Sequence, residues 1–146
     1  MDRQEFQQFL YDHIPITEKM GFTVEEFNNT KVKIAAKLEP NINHKATAFG
    51  GSINSLMTVC GWAMVFVNIK PVDENAHIVI QKSSINYKAP IDFDFSAECE
   101  FYDEAEKERF FQIYKKHNKA RLILKVKCCR EDTVLAEYEG QYVVFK

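Results

Sequence analysis

A chain of 146 residues with 46% hydrophobic side chains is one domain's worth of sequence, with ample apolar material for a core. A formal charge of −2 excludes a protein whose main task is to hold nucleic acid, since that needs a concentrated basic field. Cys60, Cys99, Cys128 and Cys129 form no CxxC pair, which excludes a disulfide framework and fits a reduced compartment.

The first stretch, "MDRQEFQQFLYDHI", carries charge and no apolar export core, so a cytoplasmic location is expected. Residues 2–13 read as a helix capped by Asp2, with Phe6, Phe9, Leu10 and His13 at helical spacing. Pro15 ends it, and "ITEKM" adds a short turn before Gly21. "FTVEEFN" and "KVKIAAKLEP" are strands joined by a hairpin turn at Asn28–Thr30. Val32, Ile34, Ala36 and Leu38 form the buried face of the second.

A loop, "NINHKATAF", then leads into a long uncharged helix from Gly50 to Ile69, ended by Pro71. "HIVIQKSSINYK" is a third strand. "FDFSAECEFYD" is a fourth, with Phe93, Phe95, Ala97, Cys99 and Phe101 on one face. "EAEKERFFQIYKKHNK" reads as a surface helix with Phe110, Phe111 and Tyr114 as its apolar stripe. The lysines of "YKKHNKAR" are its solvated face. Two long strands, "ARLILKVKCCRE" and "TVLAEYEGQYVVFK", turn at Glu131-Asp132 and finish the chain. In the last, Ala136, Tyr138, Gly140, Tyr142 and Val144 share a face. Strands in runs around one central helix give an α+β fold with an antiparallel sheet, and residues 1–146 form a single domain.

The long helix admits three readings: a membrane span, a phosphate cradle, or a buried helix whose N-terminus does chemistry. Ser52 to Ile69 reaches the 18 uncharged residues at which a span becomes possible. It also carries Ser52, Asn54, Ser55, Thr58 and Asn68, and strands that need a partner layer surround it. A core helix wrapped by sheet looks the same, and no membrane span is expected. Neither GxxxxGK[ST] nor GxGxxG is present, which removes the phosphate signatures. A helix start with Gly50-Gly51 still exposes backbone N–H groups and the positive end of the dipole to an anionic oxygen.

The segment "NINHKATAFGGSINSLMTVCGW" resembles the Asn-x5-[His/Phe]-Gly-Gly segment of hotdog-fold thioesterases. It is most similar to the thioesterase-like domain at the C-terminus of YiiD-type acetyltransferase proteins. The likeness rests on Asn43, His44, Thr47, Ala48, Phe49, Gly50, Gly51, Ser52, Leu56, Gly61 and Trp62. "SSINYKAPI" resembles the strand-end tyrosine-proline signature of the same superfamily, at Tyr87 and Pro90. No acetyltransferase domain accompanies it, so the expectation is that module standing alone.

The resemblance implies a sheet wrapped around one helix, a homodimer or dimer of dimers, and an acyl-CoA or acyl-carrier-protein thioester as partner. Gly51, with Gly50, matches the position whose backbone N–H polarises the thioester carbonyl. Asn43 matches an asparagine that holds the thioester or its attacking water. His44, Phe49, Gly50, Ser52 and Tyr87 are the implied substrate contacts. Many relatives carry histidine where this chain has Phe49. Many also place a carboxylate two turns past the glycines, where this chain has Ser55, Thr58 and Val59.

Ser55 and Thr58 are therefore the candidates to orient a water, beside Asn43 and Gly51 as the other catalytic candidates. The competing reading for both hydroxyls is a bond to the preceding turn, and for Asn43 a turn closing on its own backbone. Cys60, mid-helix and far from any histidine in sequence, reads as a buried inert thiol. His13, His44, His77 and His117 have no ligand spacing, and no metal or other cofactor is expected. Asp92 and Asp94 are turn residues that could supply a base from a strand end. The two functional expectations are an acyl-thioester hydrolase and a non-catalytic acyl-thioester binding or regulatory module of the same fold.

Overall fold

The computed structural model describes residues 1–101 and 103–146. Tyr102, which the sequence pattern assigns to the fourth strand, lies outside the described residues.

Helix α1 (Arg3–His13) starts with a capping box. Asp2 Oδ1 accepts from Glu5 N at 2.8 Å, and Glu5 Oε2 accepts from Asp2 N at 3.3 Å. A single turn, α2 (Ile16–Lys19), follows Pro15. Strands β1 (Phe22–Phe27) and β2 (Lys31–Ala36) form a hairpin whose turn is tied by Asn28 Oδ1, which accepts from Thr30 N and Lys31 N. Strand β2 stops two residues before the predicted Leu38. There the chain enters a 3₁₀ turn (Glu39–Asn41), and the Leu38 amide leaves the ladder to donate to Asp94 Oδ1 at 2.9 Å.

Helix α3 occupies Gly50–Ile69 as the sequence predicts. Leu56, Met57, Cys60, Ala63, Met64, Val65 and Ile69 are wholly inaccessible to solvent. The rest of the protein covers most of this helix, which suits a surface apolar nearly all round.

Strands β3 (His77–Tyr87), β4 (Phe95–Glu100), β5 (Lys119–Arg130) and β6 (Thr133–Phe145) complete one six-stranded antiparallel sheet. Its order is β1-β2-β4-β5-β6-β3, and it curls around α3 in the hotdog arrangement. Strand β4 begins at Phe95 rather than Phe93. Phe93 instead packs under the Arg130 guanidinium, 4.4 Å from its ring centroid. The inward face of β6 is the one expected: Ala136, Tyr138, Gly140, Tyr142 and Val144 are buried. Outward positions pair charges across strands, with Glu98 opposite Lys127 and Lys125 opposite Glu139.

Helix α4 (Glu104–His117) is capped by Asp103 and carries Lys115, Lys116 and His117 in its last turn, which suits the negative end of its dipole. It docks through Phe110 and Tyr114, and Tyr114 Oη donates to Asp73 Oδ2 at 2.6 Å. That bond holds the Asp73 carboxyl below its usual range, while burial pushes Tyr114 up to about 12.

Candidate functional site

The loop before α3 is closed at its neck. Ile42 bridges Ala48, and Phe49 N donates to the Asn41 carbonyl at 2.7 Å. Asn43 organises the tip. Its Oδ1 accepts from Lys45 N at 2.9 Å and Thr47 N at 3.1 Å, and its Nδ2 donates to Thr47 Oγ1 at 2.9 Å. The side chain's bonds thus run within the loop, as an asparagine turn does. Ala46, at φ 63°, completes the turn, and His44 is exposed at the tip. Below the neck, buried Asn41 donates to Met20 O and Lys37 O, anchoring the loop to the β1 and β2 ends. No spacing rule marks Asn41 in the sequence.

The loop delivers an uncapped helix. Phe49 is the N-cap residue and supplies no side-chain hydrogen bond, and no acidic residue occupies the first turn. Among the described residues, neither the Gly50 nor the Gly51 amide meets a protein acceptor. Both residues are at least partly accessible. Two free N–H groups at the positive end of a 20-residue helix are suited to polarising a carbonyl oxygen.

Each glycine also seats an aromatic ring. A Cβ on Gly50 would lie 3.4 Å from Tyr87 Cζ, and Tyr87 Oη donates to Gly50 O at 2.9 Å. A Cβ on Gly51 would lie 2.5 Å from Phe49 Cε2 and 3.0 Å from Cζ. The Phe49 ring rests on the bare Gly51 backbone and is itself 57% exposed. Tyr87 is 49% exposed. Of the predicted contacts, Gly50, Gly51, Phe49 and Tyr87 thus converge at the helix start, while Ser52 is buried beneath it.

Further along α3 a groove of about 250 Å³ opens between the helix and the α1–α2 turn. Ile14, Met20 and Phe22 make its apolar wall, and Asn54, Ser55 and Thr58 line the other side. Ser55 Oγ donates to Gly51 O and Thr58 Oγ1 to Asn54 O, both at 2.8 Å, so each hydroxyl proton is committed to the preceding turn. Their oxygens retain acceptor capacity toward the groove. Among the described residues no carboxylate lines it; Asp94 is engaged by Leu38, and Asp92 is exposed.

Three of the four thiols are buried. Burial pushes Cys60 well above an ordinary thiol, Cys99 to about 12 and Cys128 to about 11. Only Cys129 is partly accessible. A disulfide reagent at pH 8 should therefore react with one thiol per native chain and with four after denaturation, as read by released chromophore. Rapid labelling of two or more native thiols would contradict this burial. Among the described residues, no cluster of three or more metal-ligating side chains occurs.

Residues 3–146 match the family described as "Putative thioesterase (yiiD_Cterm)". The chain belongs to that family. A solved protein of unknown function from Chlorobaculum tepidum TLS is 30% identical, with a TM-score of 0.91 over 99% of this chain and 94% of its own. A structure described as a putative thioesterase from Shewanella oneidensis is 27% identical, with a TM-score of 0.83 over 99% and 97% of the two chains. A thioesterase from Haemophilus influenzae shares the fold at 10% identity and a TM-score of 0.76, over 100% of this chain and 92% of its own. Helix α3 carries no carboxylate.

Proposed function

We propose that this protein hydrolyses an acyl thioester carried on CoA or on an acyl carrier protein. The observation that carries the reading is the pair of uncommitted Gly50 and Gly51 amides, accessible at the start of α3, whose next turns line an apolar-walled groove. The thioester carbonyl would sit at those amides, flanked by Phe49 and Tyr87, with the acyl chain along the groove beside Thr58. Water adds to the carbonyl carbon, the carbon–sulfur bond breaks, and the departing thiolate takes the proton that water releases. Amides aimed at the developing oxyanion stabilise the transition state more than the ground state.

The absent helix carboxylate and the inward-bonded Asn43 favour a second reading, an acyl-thioester binding module that does not turn over. General-base catalysis is worth roughly 10²–10⁴ in rate, so a hydrolase lacking it would be slow. A thiol-release screen across acyl-CoA lengths, with binding measured in parallel, separates the two. If hydrolysis occurs through a water on Thr58, Thr58→Val should lower kcat at least tenfold and leave KM nearly unchanged. An unaffected kcat in Thr58→Val would remove that residue from the mechanism. Binding without thiol release from any substrate would establish the second reading.

We further propose a homodimer in the cytoplasm, joined along β3. This edge strand is eleven residues long and, among the described residues, pairs with β6 alone. Nine of its residues are exposed, Val79, Ile80 and Tyr87 among them. A long unpaired edge of this kind is a template for another strand, and a second copy closes it symmetrically. Sedimentation at micromolar concentration should give twice the chain mass, and Val79→Pro should shift it toward the monomer. A wild-type monomer would overturn the arrangement.

A further inference from the structure

Among the described residues the Asn54 side chain bonds to nothing. Its Oδ1 is sealed from solvent without a hydrogen-bond partner, and among the described residues no group bonds its Nδ2. A buried, unsatisfied amide oxygen is worse for folding than an apolar group of the same shape, so packing alone would favour leucine here. The half-buried side chain lines the groove beside α3, one helical turn past Gly50. Its neighbours there are already committed, Ser55 to Gly51 O and Thr58 to the Asn54 carbonyl. An apolar groove holding one uncommitted carboxamide has the make-up of a site that selects its ligand by a polar group.

Position sets which polar group. Three to four residues at 1.5 Å each put Asn54 about 5 Å along the axis from the glycine amides. With a thioester carbonyl at those amides, that is the reach of about two carbon–carbon bonds and the oxygen they carry. We infer that Asn54 is a specificity-determining residue that selects acyl groups bearing an oxygen on the β-carbon, a 3-hydroxyacyl thioester above all. An oxygen on the β-carbon accepts from the unsealed Nδ2, a donor that a plain acyl chain leaves unpaired. The inference rests on the thioester-site reading above. It adds the substrate class that the groove would favour.

The test compares hexanoyl-CoA with 3-hydroxyhexanoyl-CoA, using thiol release and calorimetric binding, in the wild type and in Asn54→Leu. The wild type should favour the hydroxylated substrate by roughly tenfold or more, since a site built to bond a hydroxyl discriminates against the analogue without one. Asn54→Leu should bring that ratio close to one and melt at a higher temperature than the wild type. Equal handling of the two substrates by the wild type, a measurement that needs no variant, would overturn the inference. So would a preference that survives in Asn54→Leu, or a melting temperature that falls, which would mark Asn54 as structural. If neither substrate releases thiol, the hydrolase reading fails separately, and the ratio of binding constants decides the inference by the same criteria.

Discussion

Gly61→Val is expected to leave little folded protein. Helix α3 passes β6 here at close range. A Cβ on Gly61 would lie 2.9 Å from Tyr142 Cζ and 3.0 Å from Cε2, which are atoms of a rigid ring. The ring has nowhere to retreat. Tyr142 is wholly buried, its Oη donates to Thr58 O at 2.7 Å, and it meets Tyr138 Oη at 3.1 Å. Overpacking costs roughly 1–3 kcal/mol, and each displaced hydrogen bond about 1 kcal/mol more. A branched side chain would therefore remove roughly 3–5 kcal/mol, a large share of a typical 5–15 kcal/mol total.

Alanine makes the sharper experiment. Helix propensity favours alanine over glycine by about 1 kcal/mol, so any net loss in Gly61→Ala comes from the clash. A fall in melting temperature of roughly 5–10 °C is expected by circular dichroism. Tyr142→Phe in the same chain should recover part of it, because the hydroxyl is the nearest obstacle. A Gly61→Ala protein that melts with the wild type would show that this contact relaxes without cost.

At Gly51 the large expected effect is on turnover. Gly51→Val should lower kcat/KM by roughly 10²–10³, the size of a lost oxyanion donor, and change stability little. The residue is exposed, and the ring a new side chain would strike belongs to Phe49, which can swing into solvent. Two causes need separating, a screened amide and a displaced Phe49. Gly51→Ala in a Phe49→Ala background does so. If alanine at 51 harms turnover in both backgrounds, close approach to the amide is what matters. If it harms only the chain with Phe49, ring placement matters instead, and the oxyanion role moves to Gly50.

The bounds of α3 were legible because Gly50-Gly51 and Pro71 punctuate an uninterrupted apolar run, and the hairpins because their turn residues bind their own backbone. The strand ends near Leu38 and Asp94 were not. There the alternation of side chains continues in sequence, but a bond between residues 56 positions apart ends the ladder. The same holds for β3. Its local pattern says strand, and only its pairing with distant β6 makes it an edge. At the site, the Asn43-to-Gly51 spacing marked the loop that delivers the start of α3. What it did not carry was direction. Ser55 and Thr58 were legible as polar groups, yet their protons turn back along the helix. Asn54 was visible only as one more polar residue in an apolar run, since a missing partner is a property of three-dimensional surroundings.

The sheet order also sets a timetable for the nascent chain. Within the sheet β3 has a single neighbour, β6, and the register joins His77 to Phe145. During synthesis, α3 and β3 therefore emerge well before residues 133–145, the strand that holds them together. At roughly 5–20 residues per second, the most apolar segment of the chain waits several seconds for that flank of its cover. Such long-range closure slows folding and lengthens exposure to aggregation. Ribosome-bound chains stalled near Gly140 should accordingly bind holdase chaperones through residues 50–87, and lose that binding once Phe145 has cleared the exit tunnel.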